Sequence, residues 1–369
     1  MQEIKKRRIV IASVLKPVND TRMFEKLAQS LAKKFETHVI GFPAESSYEF
    51  SPVTPHTLYH EGFKRMSLKR LAAPWVFFHN CFKLKPTDVI VCTHELLIPG
   101  ILLKLILGCR LLYDVQENYF RNILYTNAFP FWIKPFVAGY VRFKELILSP
   151  FVNHFILAEK AYYKEIPFVR AKSVVVENRY KDLPDIHTEK KSLQDGNTYL
   201  LFSGTLAETT GVFTAINLAD QLHEIDNTIR LTIIGFAAQP AVYNRIIDSI
   251  RDKSFIRLVG GNRLVSHQDI IQEIKTHDFG IVAYPPNKST ESSIPTKLFE
   301  YLGSQLPMLL IDHPVWEKYC SPFPAAIPFS EDLPDAAALL HQMKTGRFYQ
   351  QNVGNVFWST EEPRLLSLF

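Results

Sequence analysis

The 369-residue sequence has few cysteines, and none of them is spaced for a metal site. The four residues are Cys81, Cys92, Cys109 and Cys320, whereas structural zinc sites draw on cysteine pairs two to four residues apart. Three of the four lie in apolar stretches, which favours buried thiols in a reducing compartment over disulfides. We therefore expect a cytoplasmic protein.

Glycine is also sparse, with 15 residues, and it is missing where a dinucleotide cofactor would need it. The turn after the first apolar run lacks the Gly-x-Gly-x-x-Gly pattern that lets a backbone approach a pyrophosphate. This absence argues against a bound nicotinamide or flavin, and we expect no cofactor.

Long uninterrupted apolar runs are absent as well. The run at residues 9–15 is followed at once by Lys16 and Pro17, without a small-residue cleavage site, so we expect no signal peptide. The longest apolar tract, residues 96–113, contains Lys104 and Arg110. We interpret it as a helix followed by a strand rather than as a membrane span.

Charge is distributed unevenly between the two halves. Residues 1–190 hold 28 Lys and Arg against 18 Asp and Glu, a net charge of +10, and the remainder holds 14 against 19, a net charge of −5. A basic half suggests an anionic partner, which is a membrane surface, a nucleic acid or a phosphorylated acceptor. The alternative is that these cations only solvate helix faces. Because they are dispersed and no recognition motif is present, we do not expect a nucleic-acid partner.

Apolar runs typical of buried strands alternate with segments of helical periodicity along most of the chain. A strand at 8–15, a helix at 21–34 and a strand at 37–41 form a βαβ unit, and the pattern restarts at residue 198. The sequence therefore predicts an α/β protein with two Rossmann-like, doubly wound domains that face a central crevice. We place them at 1–180 and 198–346, with a linker at 181–197 and a helical segment, 347–369, that returns to the first domain.

Two segments of the first domain mix aromatic and basic residues. Residues 63–85 predict an amphipathic helix, broken at Pro74, that either lies on an anionic bilayer or packs on the sheet with its lysines reaching solvent. Residues 119–147 contain nine aromatic rings. We expect most of these rings to form core, with a lipid-facing or acceptor-lining surface as the alternative.

Polar residues follow several predicted strands of the first domain. Asn19, Asp20 and Arg22 occupy the first turn, with Asp20 as a helix N-cap. Acid or base candidates follow later strands, and these are His94, Glu95, Asp114 and Glu117. Since carboxyl ends of parallel strands line the ligand crevice in this architecture, we expect these residues near a site. Each of them is otherwise an ordinary capped or solvated loop residue.

The most informative stretch of the second domain is residues 294–302. A buried strand, a polar loop, Pro295 and a short helix follow one another, and then the chain returns as a strand at residue 308. Anions bind at the helix N-terminus after such a loop, and Lys297 and Glu300 share one helix face near it. The segment therefore predicts a nucleotide site.

Four local motifs carry a resemblance to a known family. They are Asn-Asp-Thr-Arg at 19–22, Tyr-Asp-Val-Gln-Glu at 113–117, Ser-Gly-Thr at 203–205 with Gly-Val at 211–212, and Pro-Thr-Lys-Leu-Phe-Glu-Tyr at 295–301. In this order the chain resembles the GT-B glycosyltransferases over nearly its whole length. The local match is to the retaining family-four (group one) type of bacterial polysaccharide and lipopolysaccharide biosynthesis.

The resemblance implies a nucleotide-sugar donor in the second domain and a glycan or lipid-linked acceptor at the first, with Asn19, Asp20 and Arg22 on the acceptor side. It implies that Gly204 offers its backbone N–H to the pyrophosphate, because a residue without Cβ allows close approach, and that Glu300 holds the ribose hydroxyls. The donor-binding set that it implies is Gly204, Thr205, Arg263, Pro295, Thr296, Lys297, Leu298 and Glu300. No metal is implied, and the sequence has no Asp-x-Asp.

The sequence departs from the family pattern at several positions. Thr205 and Thr209-Thr210 stand where Arg and Lys are frequent, and Ser292 replaces the first Glu of the Glu-x7-Glu motif. Gln116 stands at the usual His and Gln305 at the usual Gly. Lys297, Arg263 or Arg179 would then neutralise the phosphates.

Three functions are compatible with these features. The first is a metal-independent hexosyltransferase, peripheral at the inner face of the membrane. The second, favoured by Gln116 and the missing cations, is a catalytically weak binding or scaffold protein of a glycan assembly pathway. The third is a sugar-nucleotide epimerase on the same fold.

Overall fold

The computed structural model describes residues 7–44, 49–60, 67–126, 129–181, 195–288, 291–332, 335–351 and 353–369. The chain separates into two units, Met1–Asn178 with Trp358–Phe369, and Arg179–Phe357. Most of the linker expected at 181–197 lies outside the described residues.

The first unit is built on a seven-stranded parallel sheet. Its strands run in the order β3-β2-β1-β4-β5-β6-β7. They are β1 (Arg8–Pro17), β2 (Glu36–Phe42), β3 (Thr54–Thr57), β4 (Asp88–Val91), β5 (Arg110–Val115), β6 (His154–Leu157) and β7 (Ser173–Val175). Helices on both faces shield the central strands from water, which is why those strands are continuous apolar runs.

The helices of the first unit begin with a wide π-type helix, Thr21–Ala28, that continues as α1 (Gln29–Ala32). The others are α2 (Leu68–Leu84), α3 (Leu97–Leu107), α4 (Tyr119–Tyr125), α5 (Lys134–Leu148) and α6 (Tyr162–Glu165). The tract at 96–113 is a helix and a strand, as predicted. No helix in the described part of the chain combines the length and hydropathy of a bilayer-spanning segment.

The second unit has a six-stranded parallel sheet in the order β10-β9-β8-β11-β12-β13. Its strands are β8 (Thr198–Thr205), β9 (Ile229–Phe236), β10 (Ile256–Gly261), β11 (Phe279–Val282), β12 (Met308–Ile311) and β13 (Ala326–Phe329). Its helices are α7 (Val212–Ile225), α8 (Pro240–Ile250), α9 (His267–Thr276), α10 (Thr296–Gly303), α11 (Pro314–Cys320) and α12 (Ala336–Thr345). The prediction of two doubly wound parallel sheets is confirmed.

The last twelve residues complete the first unit. Helix α13 (Glu362–Leu366) places Leu365 in the core beside α1, and the Trp358 indole N–H donates to Ser30 Oγ at 2.8 Å. This agrees with the prediction of a C-terminal helix that returns to the first domain.

Several local predictions were wrong. Helix α2 is continuous through Pro74, and strands β3 and β13 were not predicted. Most rings of residues 119–147 are not core. The exposed ones are Tyr125, Phe131, Trp132, Phe136, Tyr140 and Phe143.

Candidate functional site

The strand order of the second unit reverses between β8 and β11, the place where ligands of doubly wound sheets bind. Pairing of β8 with β11 ends at Leu201, while pairing of β8 with β9 continues to Thr205. Gly204 therefore lies where β8 extends beyond its neighbour. Its φ is +97°, and a Cβ built there would meet no atom within 4 Å. The backbone at Gly204 is thus open to a ligand.

The loop that follows Thr205 is closed by its own side chains. Thr210 Oγ1 donates to Thr205 O at 2.7 Å and accepts from the Ala207 N–H at 3.1 Å. Gly211 ends the loop with φ +82°, and a Cβ there would lie 1.7 Å from Ala283 O. Glycine at 211 therefore lets the loop approach the carboxyl end of β11, while Thr205 itself is exposed.

Helix α10 begins after Pro295, at the end of the loop that follows β11. Its N-cap residue, Pro295, makes no side-chain hydrogen bond to the helix, and the helix spans eight residues. All residues from Lys297 to Leu302 are buried, including two charged ones. Burying charge costs free energy unless the charge is compensated. A buried charged pair in the first turns of a helix therefore indicates that other groups compensate these charges.

Lys297 lies in an aromatic environment. Its Nζ is 3.9 Å from the centroid of the Phe202 ring and 5.0 Å from that of Tyr284, and it has no hydrogen-bond partner among the described residues. Burial lowers the pKa of Lys297 to about 7, against the opposing effect of Glu300. An anion that supplied an acceptor here would satisfy this amine and would favour its charged form.

Glu300 is 8% exposed and is held by a histidine from a neighbouring loop. His267 Nε2 lies 3.1 Å from Glu300 Oε1. His267 is the first residue of α9, at the end of the loop after β10 that also carries the exposed Arg263. The structure thus joins this loop to α10, a contact that the sequence did not predict.

One residue of the predicted donor-binding set has a buried side chain. The Leu298 side chain is fully buried in the core of the unit, and its N–H donates to Pro295 O at 3.0 Å. Leu298 therefore supports the helix through its side chain, and its assignment to donor binding stays a prediction. Pro295 and Thr296 are partly exposed at the start of α10.

In the first unit the order reverses between β1 and β4. Asp20 caps the helix after β1, since its Oδ1 accepts from the N–H groups of Arg22 and Met23, and Asn19 beside it is partly exposed. Arg22 forms a buried, bidentate ion pair with Asp114 whose shortest distance is 2.7 Å. Gln116 Nε2 also donates to Asp114, at 2.8 Å. The Asp114 carboxylate is 0% exposed, which suits a structural role better than contact with a substrate.

His94 and Glu95 follow β4 in a mixed-charge cluster. The Lys144 ammonium donates to His94 Nδ1 at 2.7 Å, and Arg70 donates to Glu95 Oε1 at 2.6 Å. Burial, reinforced by Lys144 and Arg70 against the effect of Glu95, lowers the pKa of His94 to about 4. His94 is therefore neutral near pH 7, and since Nδ1 accepts, its Nε2 carries the proton and can donate to a substrate.

Glu117 is the most accessible of the four acid or base candidates. It is exposed after β5, and Asn122 Nδ2 donates to it at 2.9 Å. Sequence reasoning missed the partners of these groups, namely Arg70 and Lys144 here and Phe202, Tyr284 and His267 in the second unit. Each lies 13 or more residues from the group that it contacts, and no local pattern marks it.

Three solved structures are similar to this chain over nearly its whole length. HepE of Anabaena, solved in complex with UDP and glucose, has a TM-score of 0.67 at 12% identity and covers 98% of each chain. Sucrose-phosphate synthase of Thermosynechococcus elongatus has a TM-score of 0.65 at 11% identity, covering 99% of this chain and 95% of that one. For α,α-trehalose 6-phosphate synthase of Burkholderia multivorans the TM-score is 0.60 at 12% identity, with 98% and 94% covered. No family profile and no curated protein matches the sequence.

Proposed function

We propose that this chain, which has the GT-B fold, is a glycosyltransferase that takes a sugar from a nucleoside-diphosphate-sugar. The single observation that carries the proposal is Lys297. It is a buried amine with no hydrogen-bond partner among the described residues, in the first turn of α10. The open backbone at Gly204 lies on the strand that also carries Phe202, one of the rings around Lys297.

The site residues have distinct parts in this proposal. Lys297 and the N–H groups at the start of α10 would bind the diphosphate and stabilise the charge that develops on it as the sugar leaves. Gly204 would allow the backbone to approach that diphosphate. Glu300, oriented by His267, would accept hydrogen bonds from the ribose hydroxyls, and Arg263 would add a second cation. Solved structures of similar fold hold UDP and UDP-glucose, which supports a uridine nucleotide as the first donor to test.

The finer part of the proposal concerns the acceptor and the chemistry. The acceptor would be a glycan or a lipid-linked glycan, received by the first unit at the inner face of a membrane. Hexose transfer with retention and without a metal rests on the family-four resemblance of the motifs. In the described residues no group of three or more His, Cys, Asp or Glu is arranged to hold a metal ion.

One observation favours a second candidate, a binding or scaffold protein. Arg22 and Asp114 form an ion pair with each other, and Gln116 donates a hydrogen bond to the Asp114 carboxylate, so this carboxylate is already occupied by partners within the protein. A binding protein would keep the donor site and lack turnover.

Calorimetry with UDP-, GDP-, ADP- and CMP-sugars tests the proposal. We expect one class to bind, and we expect Lys297→Met to weaken it about 10- to 100-fold, as for a lost charged hydrogen bond. Lys318→Met, at an exposed lysine of the same unit, is the matched control and should bind normally.

Three outcomes separate the candidates. Binding with slow donor hydrolysis supports the transferase, and binding without any turnover supports the scaffold. Conversion of the donor sugar in the absence of acceptor identifies an epimerase. If no nucleotide sugar binds, the donor site is refuted.

A further inference from the structure

Exposed hydrophobic side chains are concentrated on one unit. Among the described residues 22 large hydrophobic side chains are exposed, and 18 of them belong to the first unit. Sixteen lie between Leu68 and Phe151. Single exposed hydrophobic residues are normal on any protein, but a concentration of this kind marks an interaction surface.

Helix α5 shows the pattern most clearly. It buries its small side, Ala138 and Val141, together with Glu145. It exposes a stripe with helical spacing of four, three and four residues, formed by Phe136, Tyr140, Phe143 and Ile147, which are 51–76% exposed. Phe131 and Trp132, just before the helix, are 83% and 63% exposed. The large apolar face of this helix therefore points away from its own core.

The neighbouring helices extend the same surface. Helix α3 packs against both α2 and α5, and it exposes Leu105 and Ile106. Helix α2 buries Ala73, Phe77 and Cys81 on the sheet. Its other side exposes Leu68, Leu71, Trp75 and Phe82. We call the exposed sides of α2, α3 and α5 the apolar face.

The charge of this region has one sign. Helices α2, α3, α4 and α5 contain eight Lys and Arg and a single acidic residue, Glu145, which is buried. Five of the eight cations are lysines, a residue that protein interfaces tend to exclude. Lysine beside exposed Trp, Tyr, Phe and Leu is instead typical of helices that lie at the boundary of an anionic bilayer.

We propose that the apolar face docks the first unit on an anionic lipid bilayer, with α2, α3 and α5 in contact with the interface. The exposed rings and aliphatic side chains would enter the boundary between headgroups and acyl chains, and the exposed lysines Lys69 and Lys83 would stay with the anionic headgroups. The inference rests on the proposed function for its purpose, because a lipid-linked acceptor lies in such a bilayer.

Vesicle sedimentation with the full chain tests this inference. We expect binding to phosphatidylcholine vesicles that contain phosphatidylglycerol, little binding to phosphatidylcholine alone, and release at high salt. Phe136→Ser with Phe143→Ser should weaken partitioning roughly tenfold, since two exposed rings no longer insert. Lys69→Glu with Lys83→Glu should weaken it by roughly fivefold or more for each lysine. All four positions are exposed, so these variants should fold.

Matched controls lie on the second unit. Ile225→Ser with Val315→Ser, and Lys318→Glu with Arg347→Glu, change residues there that are also exposed and should leave partitioning unchanged. The inference is overturned if anionic vesicles do not bind, or if the two pairs of variants bind as well as the parent. It is also overturned if the apolar face instead mediates a dimer that Phe136→Ser with Phe143→Ser dissociates, as seen by light scattering.

The donor titration keeps the two proposals separate. The vesicle variants lie outside the second unit and should bind the nucleotide sugar normally. Donor binding without vesicle binding removes only the bilayer inference, and vesicle binding without donor binding removes only the proposed function.

Discussion

Lys297 and Glu300 bring opposite charges into the buried helix α10, three residues apart. The Lys297 amine has aromatic rings around it and no hydrogen-bond partner among the described residues, and His267 Nε2 lies 3.1 Å from Glu300 Oε1. A ligand phosphate would supply the acceptor that the Lys297 amine lacks among these residues.

The lowered pKa of Lys297, about 7, makes donor affinity depend on pH. An anionic diphosphate binds the ammonium form, so the apparent affinity should be constant below about pH 7 and should fall by up to about tenfold per unit above it. Tyr284 and Tyr301 nearby have pKa values raised by burial and stay neutral in this range.

Calorimetry with a nucleotide sugar from about pH 6 to about pH 9 measures the effect. Lys297→Met is the control and should remove this decline. A wild-type affinity that does not change with pH would show that Lys297 does not bind the ligand as a cation.

Glu300→Gln should weaken donor binding by about 1–3 kcal/mol, because the ribose hydroxyls lose a charged acceptor. Glu331→Gln, at an exposed carboxylate of the same unit, should bind as the parent does. Unchanged affinity of Glu300→Gln in the same titration would remove Glu300 from the site.

His267 should act on the donor only through Glu300. His267→Ala is expected to cost about 1 kcal/mol of donor binding, the worth of one hydrogen bond. Combined with Glu300→Gln, it should cause no further loss of donor affinity, because both substitutions disrupt the same interaction, that of His267 through Glu300 with the ligand. Fully additive losses would instead indicate direct contact of His267 with the ligand, and His341→Ala, on the exposed side of α12, is the control.

At the scale of elements, glycines fix how closely the loops of the second unit approach its sheet. Gly204, Gly235 and Gly260 lie in register across β8, β9 and β10, and all have positive φ. A Cβ on Gly235 would lie 1.7 Å from Gly204 O. A side chain would clash at Gly235 and Gly260, and at Gly204 the positive φ alone disfavours one, so these glycines determine the shape of the carboxyl end of the sheet.

Gly211→Ala should therefore lower the free energy of unfolding by about 2–4 kcal/mol, since its Cβ would strike Ala283 O and its φ disfavours a side chain. Gly139→Ala in α5, where a Cβ would meet nothing within 4 Å, should stabilise by about 0.5–1 kcal/mol. Urea denaturation followed by circular dichroism measures both. A Gly211→Ala variant as stable as the parent would mean that the loop relaxes freely.

The two strands that sequence reasoning missed share one feature. β3 contains Pro55 and β13 contains Pro328, and each strand lies at the edge of its sheet. Proline lacks the N–H that a central strand needs, so within sheets it is confined to edge strands. It also weakens the sequence pattern from which a strand is predicted. Only the arrangement of the strands in the sheet shows that β3 and β13 each have a neighbouring strand on one side alone.

At the scale of the whole molecule, the chain returns to its first unit at the end. Trp358, 2% exposed, donates to Ser30, and the core around it includes Ile9 and Leu27. A dozen residues from the C-terminus thus complete a core that the N-terminus began.

Trp358→Ala should lower the free energy of unfolding by about 3–5 kcal/mol, because a large buried ring and its hydrogen bond are lost. Trp132→Ala, at a ring that is 63% exposed, should change it by less than about 0.5 kcal/mol. Thermal and urea unfolding measure both, and equal effects of the two variants would contradict the placement of the C-terminal segment.

The sequence by itself determined the two doubly wound sheets, the return of the C-terminal segment and the position of α10, because apolar periodicity and caps are local signals. Tertiary structure decided the rest. It pairs Arg22 with Asp114, and it places Phe202 and Tyr284 next to Lys297 and His267 next to Glu300. It also exposes the aromatic rings of α5. These outcomes depend on residues far apart in the chain, or on which side of a helix finds a neighbour, and periodicity identifies an apolar face without saying what covers it.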